Sequence, residues 1–159
     1  MSKDSFVFFW SGPFSQWYKS EFTLYGVEYN CAEQYVMAMK ATMFGDFDSR
    51  NQIMATRDPS KQKAIGRKVS GFDADKWSEV AKKFVYEANM AKFSSKSLKK
   101  VLLETGDKEI VEASPYDTIW GIGLGPDDPD RFDKSKWRGT NWLGEVLMQV
   151  REAIRKENP

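Results

Sequence analysis

The sequence predicts an α+β domain, predominantly helical, with a small antiparallel sheet. Three observations carry this. Apolar residues recur every three or four positions through the middle and the C-terminal end of the chain. Short aromatic and β-branched runs stand near the start and around residue 110. The 159 residues, 41% hydrophobic and 30% charged, are enough for one domain with a real core, so residues 1–159 are expected to form a single domain.

Residues 7–10 are the first expected strand. Residues 22–24 and 27–29 flank Tyr25-Gly26 and read as a hairpin. Asn30, with Glu33 three positions on, reads as a variant capping box opening a helix that runs to about Phe44 and stops at Gly45. Asp58-Pro59 opens a second helix toward Val69. Trp77, Val80, Ala81, Phe84, Ala88 and Ala91 mark a third. Ser95 is the expected cap of a fourth, carrying Leu98, Val101 and Leu102 and ended by Gly106. Residues 110–113 and 118–122 read as short strands. Asn141 is the expected cap of a last helix with Leu143, Val146, Leu147, Val150 and Ile154 on one face.

Composition narrows the chemistry. There is no histidine, so Ser-His-Asp triads, Cys-His dyads and His-ligated metals are excluded. The single cysteine, Cys31, forbids an internal disulfide and a multi-Cys zinc site. Proton transfer then falls to carboxylates, Lys, Tyr or Cys31. Lys and Arg number 24 against 23 Asp and Glu, a net +1 without the excess of a strongly basic nucleic-acid binder. No apolar run is long enough for a membrane span, no targeting segment is visible, and the lone thiol suits the cytoplasm. Six tryptophans within 14% aromatic content exceed what a core requires and point to a stacking site.

The helix after Cys31 is the most informative segment. Glu33, Val36, Met37, Lys40 and Phe44 share one stripe, and the remaining faces are also mostly apolar. Glu33 and Lys40 are therefore charges on a buried element, roughly 10.5 Å apart along the axis, too far for easy direct pairing. Either a polar ligand or another charge compensates them, or Glu33 caps the helix and Lys40 snorkels to solvent. A second cluster holds Glu112, Asp117 and Trp120. Asp117 is there either a pocket-rim carboxylate or the start of a turn after Pro115. The glycines from Gly121 to Gly125 lack the spacing and following helix of a dinucleotide loop and suit close backbone packing. Asp127, Asp128, Asp130 and Asp133 read as a solvated acidic turn, lacking the pattern of a calcium loop. Lys63 and Arg67, four apart, face one way and suit either a phosphate or an ordinary surface.

Taken in order, these pieces resemble the YbiA-like or NADAR family. The matching residues are Phe14-Ser15-Gln16-Trp17, Glu33-Gln34-Tyr35 with Lys40-Ala41, Lys63 with Gly66-Arg67, Trp77, Lys92-Phe93, Leu103 with Thr105-Gly106, and Glu112-Ala113-Ser114. The strongest run is Asp117-Thr118-Ile119-Trp120-Gly121-Ile122-Gly123, and Gly139, Asn141, Leu143-Gly144 and Arg151 close the pattern. The resemblance implies a compact, largely helical α+β fold and an N-glycosidase needing no metal or cofactor. Its substrates would be phosphorylated ribosylamines such as early riboflavin intermediates, with ribose 5-phosphate released. Other members remove ADP-ribose from guanine, so a modified nucleic acid or nucleotide is the alternative substrate. No membrane and no obligate protein partner is implied. One departure stands out: the family usually shows Ser-Asn-Phe where this chain has Ser15-Gln16-Trp17.

Carried over residue by residue, the resemblance and the chemistry make Glu33 the first catalytic candidate and Asp117 the second. Glu33 would steady an oxocarbenium-like ribose and take a proton from water. Asp117 would protonate the departing base or bind ribose hydroxyls. Lys40, Lys63 and Arg67 would hold phosphate. Trp17 and Trp120 would stack or shield the ribose, and Ser15, Gly121 and Asn141 would supply polar or close backbone contacts. A non-catalytic NAD- or ADP-ribose-binding module is the rival of another class. Ligand binding without turnover, unchanged in Glu33→Gln, would identify it.

Overall fold

The computed structural model describes residues 3–157. It is mixed α+β and mostly helical. The elements, in order, are β1 (Phe6–Phe9), β2 (Phe22–Leu24), β3 (Val27–Tyr29), α1 (Ala32–Met43), α2 (Phe47–Ala55), α3 (Pro59–Gly66), α4 (Ala74–Lys92), α5 (Lys96–Leu103), β4 (Glu109–Glu112) and α6 (Trp142–Glu157). They gather into two compact units. One is formed by Gln16–Ser94; the other takes the described chain up to Ser15 and from Ser95 onward.

In the Gln16–Ser94 unit, β2 and β3 form the expected antiparallel hairpin, with Phe22 opposite Tyr29. Its tip needs left-handed backbone twice, at Tyr25 (φ 51) and Gly26 (φ 79), which is the geometry of a tight hairpin turn. Helix α1 packs against α2, α3 and α4. Its buried residues include Ala32, Ala38 and Ala41, small enough to let three helices approach. The approach of α3 is so close that a Cβ on Gly66 would lie 2.2 Å from Met37 Sδ.

The start of α1 differs from the expected capping box. Cys31, not Asn30, is the capping position, and its side chain makes no capping bond. A buried amide network replaces the box. Asn30 N–H donates to Gln34 Oε1 (2.8 Å), and Gln62 Nε2 donates to Asn30 Oδ1 (3.0 Å) and Thr56 O (2.9 Å). Gln34 Nε2 reaches the carbonyls of Ile53 and Thr56, both at 3.2 Å. These bonds tie α1 to the end of α2 and to α3, satisfying polar groups that burial would otherwise penalise. Helix α2 was not expected from periodicity: Ile53 is its one buried residue, and Asp46 starts it by accepting Ser49 N–H.

In the other unit, β1 pairs with β4 in parallel, Phe6 opposite Glu109 and Phe9 opposite Glu112. The expectation of a purely antiparallel sheet is therefore corrected: only the hairpin is antiparallel. Phe6, Val111, Ile122 and Leu124 form a core, with Phe8, Phe132 and Trp137 packed on it. The acidic stretch is built from capped 3₁₀ turns. Asp128 accepts from Asp130 N–H and Asp133 from Ser135 N–H, while Asp130 pairs with Lys136.

Residues 118–122 are not a strand. Asp117 Oδ1 accepts from Ile119 N–H (2.9 Å) and Trp120 N–H (2.8 Å), which folds them into a turn. Carbonyls of Thr118, Ile119, Trp120 and Gly121 then accept from the backbone of residues 140–143. Asn141 likewise departs from its expected capping role. It has φ 54, and its amide accepts from Glu112 N–H and donates to Ile110 O, both at 3.0 Å. It clamps β4 to the start of α6. Replacing Asn141 with Ala leaves two buried backbone groups without partners and forces Ala into left-handed backbone. Chemical denaturation should show a loss of about 2–4 kcal/mol; an unchanged midpoint would disprove the clamp.

Candidate functional site

Several sequence-predicted residues of the Gln16–Ser94 unit gather around α1. Glu33 lies half-buried in the first turn, where an anion complements the helix dipole. Its N–H donates to Gln16 O at 3.0 Å. The Gln16 side chain in turn exchanges two hydrogen bonds with Asn89 of α4, at 3.2 and 3.1 Å. Asn89 is fully buried and also donates to Val85 O at 2.7 Å. The loop bearing Trp17 is thus sewn to both helices.

Lys40 occupies the last turn of α1. Its Nζ lies 4.4 Å from the Phe72 ring centre and 6.0 Å from that of Trp77. Burial lowers its pKa; the Glu33 carboxylate opposes this, and the positive charge of Arg67 reinforces it. Glu33, Lys40 and Arg67 therefore share one electrostatic environment despite the axial spacing that disfavours direct pairing. Lys63 places Nζ 5.9 Å from the ring centre of Trp17, an indole left 44% exposed. Arg67 is exposed and forms the end of α3, its N–H bonded to Lys63 O. Two half-buried cations and an exposed third, beside open aromatic faces, can receive an anionic ligand with a flat or sugar-like neighbour.

Sequence reasoning passed over Lys92 as a functional candidate. It ends α4 on the stripe of Ala81, Val85 and Ala88 and is only 2% exposed. Its Nζ lies 5.0 Å from the Phe93 ring centre and 5.6 Å from that of Tyr18. Burial lowers its pKa to about 7, with the Cys31 thiol opposing. Cys31 is itself fully buried, and its Sγ donates to Gln62 Oε1 at 3.2 Å. Burial raises the thiol pKa to about 11, which leaves it unreactive as a thiolate near neutrality.

In the other unit, Asp117, Trp120, Gly121 and Asn141 cluster around the turn already described. Asp117 is the turn's organiser through Oδ1, and Trp120 packs edge-on against Trp142 with ring centres 5.5 Å apart. Gly121 is buried under the Glu112 carboxylate: a Cβ there would stand 2.7 Å from Glu112 Oε2. Asn141 spends its amide on β4. Ser15 is half-buried, its N–H bonded to Gly12 O at 2.9 Å. A separate surface cavity of about 330 Å³ belongs to the Gln16–Ser94 unit. Glu21, Glu28, Tyr29 and Arg57 help line it, and none of the predicted site residues does.

With the geometry established, comparison with known proteins is informative. The NADAR domain profile matches residues 8–155. An N-glycosidase of Acanthamoeba polyphaga mimivirus is 43% identical over 166 residues, covering 96% of this chain and 98% of its own. A chloroplastic riboflavin biosynthesis protein of Arabidopsis thaliana is 33% identical over 117 residues, which are 70% of this chain but only 18% of that protein. The NMR structure of the E. coli protein YbiA superposes with a TM-score of 0.79 and 28% identity, over 100% of this chain and 91% of that one. Among the described residues, no helix is long and apolar enough to cross a membrane.

Lys92 gives the site a signature in stability. The folded chain holds its proton only below about 7, whereas the unfolded chain holds it to the ordinary value of 10.5. Between these limits the unfolded state binds more protons, so stability rises with pH. Above the ordinary thiol value of 9.0, Cys31 acts in the opposite sense, since its folded-state pKa is raised to about 11. Denaturant midpoints should therefore climb from pH 7 to 9, and Lys92→Met should flatten the climb. A level wild-type profile would contradict the buried amine.

Proposed function

The chain belongs to the NADAR family, and on that premise we propose that it is a hydrolase of N-glycosyl bonds acting on a phosphorylated ribosylamine of the riboflavin-intermediate type and releasing ribose 5-phosphate. The observation that carries this reading is Glu33: a half-buried carboxylate on a mostly apolar helix, fixed through its N–H to Gln16 and electrostatically coupled to Lys40. The relatives support the bond class, because an N-glycosidase matches over nearly its whole length. The riboflavin name of the Arabidopsis protein supports the substrate class.

Breaking the C1′–N bond moves positive charge onto the ribose ring. Glu33 would face that charge, and its half-buried setting strengthens the attraction relative to water. The same carboxylate would accept a proton from the attacking water. Lys40, Lys63 and Arg67 would bind the 5-phosphate, and the open face of Trp17 would cover the sugar or base.

Glu33→Gln keeps the size and loses the charge. Turnover of the ribosylamine should fall by about 100-fold or more, with the thermal midpoint little changed. Sugar release is measured by a reducing-end assay on two substrates, a ribosylaminopyrimidine 5′-phosphate and ADP-ribosylated guanosine. Preferential release of ADP-ribose would replace the substrate class while keeping the bond class. Wild-type binding without release from either substrate would overturn the hydrolase.

A further inference from the structure

The cavity of about 330 Å³ in the Gln16–Ser94 unit plays no part in the hydrolytic scheme. Phe22 and Tyr29 of the hairpin, Met54 of α2, and Asn30 and Gln34 at the start of α1 help line it. Its volume lies at the small end of ligand pockets. Asn30 and Gln34 already commit their amides to the network that anchors α1, so recognition falls to other groups. Arg57 is likewise engaged, held by Glu21 at 2.6 Å.

Three polar groups at the cavity are uncommitted. Tyr29 is only 4% exposed, and its ring packs against Phe22 and Tyr35, with centres 5.9 and 5.0 Å away. Among the described residues its hydroxyl has no hydrogen-bond partner, yet it is not one of the polar atoms sealed from solvent; it opens on the cavity that Tyr29 lines. Burial raises its pKa, with the charge of Arg50 opposing, so near neutrality it is a protonated donor. Arg50 stands half-buried one turn before Met54 on α2, and makes no ion pair among the described residues. Glu28 lines the cavity from β3 and also has no ion pair among the described residues. A buried phenol without a partner is a cost that phenylalanine would avoid, which points to a ligand as the missing partner.

We propose that this cavity is a binding site for a small zwitterion, a free α-amino acid with an apolar side chain. The ligand's carboxylate accepts from the Tyr29 hydroxyl and pairs with Arg50, its ammonium meets Glu28, and its side chain lies against Phe22 and Met54. The lining selects for both signs of charge. A simple anion would face Glu21 and Glu28, and a simple cation would face Arg50 and Arg57. Only a ligand carrying both charges avoids either repulsion. The site is independent of the hydrolase reading, because Glu33, Lys40, Lys63 and Arg67 do not line it and binding there needs no turnover.

The test is a titration of the isotope-labelled full chain with L-leucine and L-phenylalanine, followed by NMR of the backbone amides. Saturable shifts are expected at residues 21–34 and 50–57, the stretches that line the cavity, with a Kd of about 1 mM or tighter. Two relatives of leucine separate its charges: leucinamide lacks the carboxylate, and isocaproate lacks the ammonium. Each should bind about 10-fold more weakly or worse. Tyr29→Phe keeps the packed ring and removes the hydroxyl; it should weaken leucine about 10-fold with the thermal midpoint little changed. Glu28→Gln, at an exposed position, should weaken it similarly. No saturable shift from either amino acid up to about 10 mM, or Tyr29→Phe binding leucine as the wild type does, overturns the site. Isocaproate or leucinamide binding as well as leucine overturns the zwitterion. The readout is binding alone, so a wild type that releases no sugar would count against the hydrolase reading and leave this result intact.

Discussion

Everything in the Gln16–Ser94 unit depends on burying the start of α1. A helix N-terminus carries unsatisfied N–H groups, and Cys31 supplies no side-chain cap. The chain answers with amides. Asn30, Gln34 and Gln62 satisfy one another and the carbonyls of residues 53, 56 and 57, while the Gln16 carbonyl accepts from Glu33. These partners come from four stretches of chain. The helix start cannot move without breaking bonds to all of them, which gives Glu33 a fixed position on a rigid element.

That rigidity explains how charge survives there. Glu33, Lys40 and Lys92 each carry a desolvation cost that a random core position would not tolerate. Lys40 and Lys92 are flanked by aromatic faces, which offer partial compensation through the ring quadrupole without neutralising the cation. Lys40 is also placed near a like charge, Arg67, an arrangement that stability alone does not favour. Groups held at such expense are those that a ligand or a reaction rewards. The free thiol beside them is the exception: fully enclosed and protonated near neutrality, Cys31 acts as a small core residue and a donor to Gln62.

Periodicity made most of the fold legible. The hairpin at Tyr25-Gly26 and the helices opened by Asp58-Pro59 and marked by Trp77 to Ala91 form where pattern and punctuation agree. Helix α2 escaped because it buries one residue and owes its place to packing against α1 and α3. Residues 118–122 mimic a strand in composition, but Asp117 and the backbone of residues 140–143 consume their hydrogen bonds in another pattern. The parallel pairing of β1 with β4 joins segments about a hundred positions apart, beyond any local signal. Asn141 looks like a cap by position, yet its left-handed backbone turns the amide toward β4.

The candidate site was legible where a charge interrupts an apolar stripe away from a helix end, or at an end where its sign is unremarkable but its surroundings are greasy. Glu33 and Lys40 stood out because their helix is mostly apolar on every side. Lys92 interrupts the stripe of α4 in the same manner, but a lysine in the last turn is what the helix dipole favours at any surface, so its sequence position disguised its burial. The Gln16–Asn89 pair was hidden for a different reason: it joins two amides 73 positions apart, and nothing local in either residue announces the other. It also gives physical meaning to the departure from the family's usual Ser-Asn-Phe. Glutamine's extra methylene lengthens the reach of the amide, and here that amide meets Asn89 in a reciprocal pair while the backbone carbonyl of the same residue holds Glu33. Substitution at Gln16 therefore bears on the carboxylate's placement as well as on the wall that Trp17 presents.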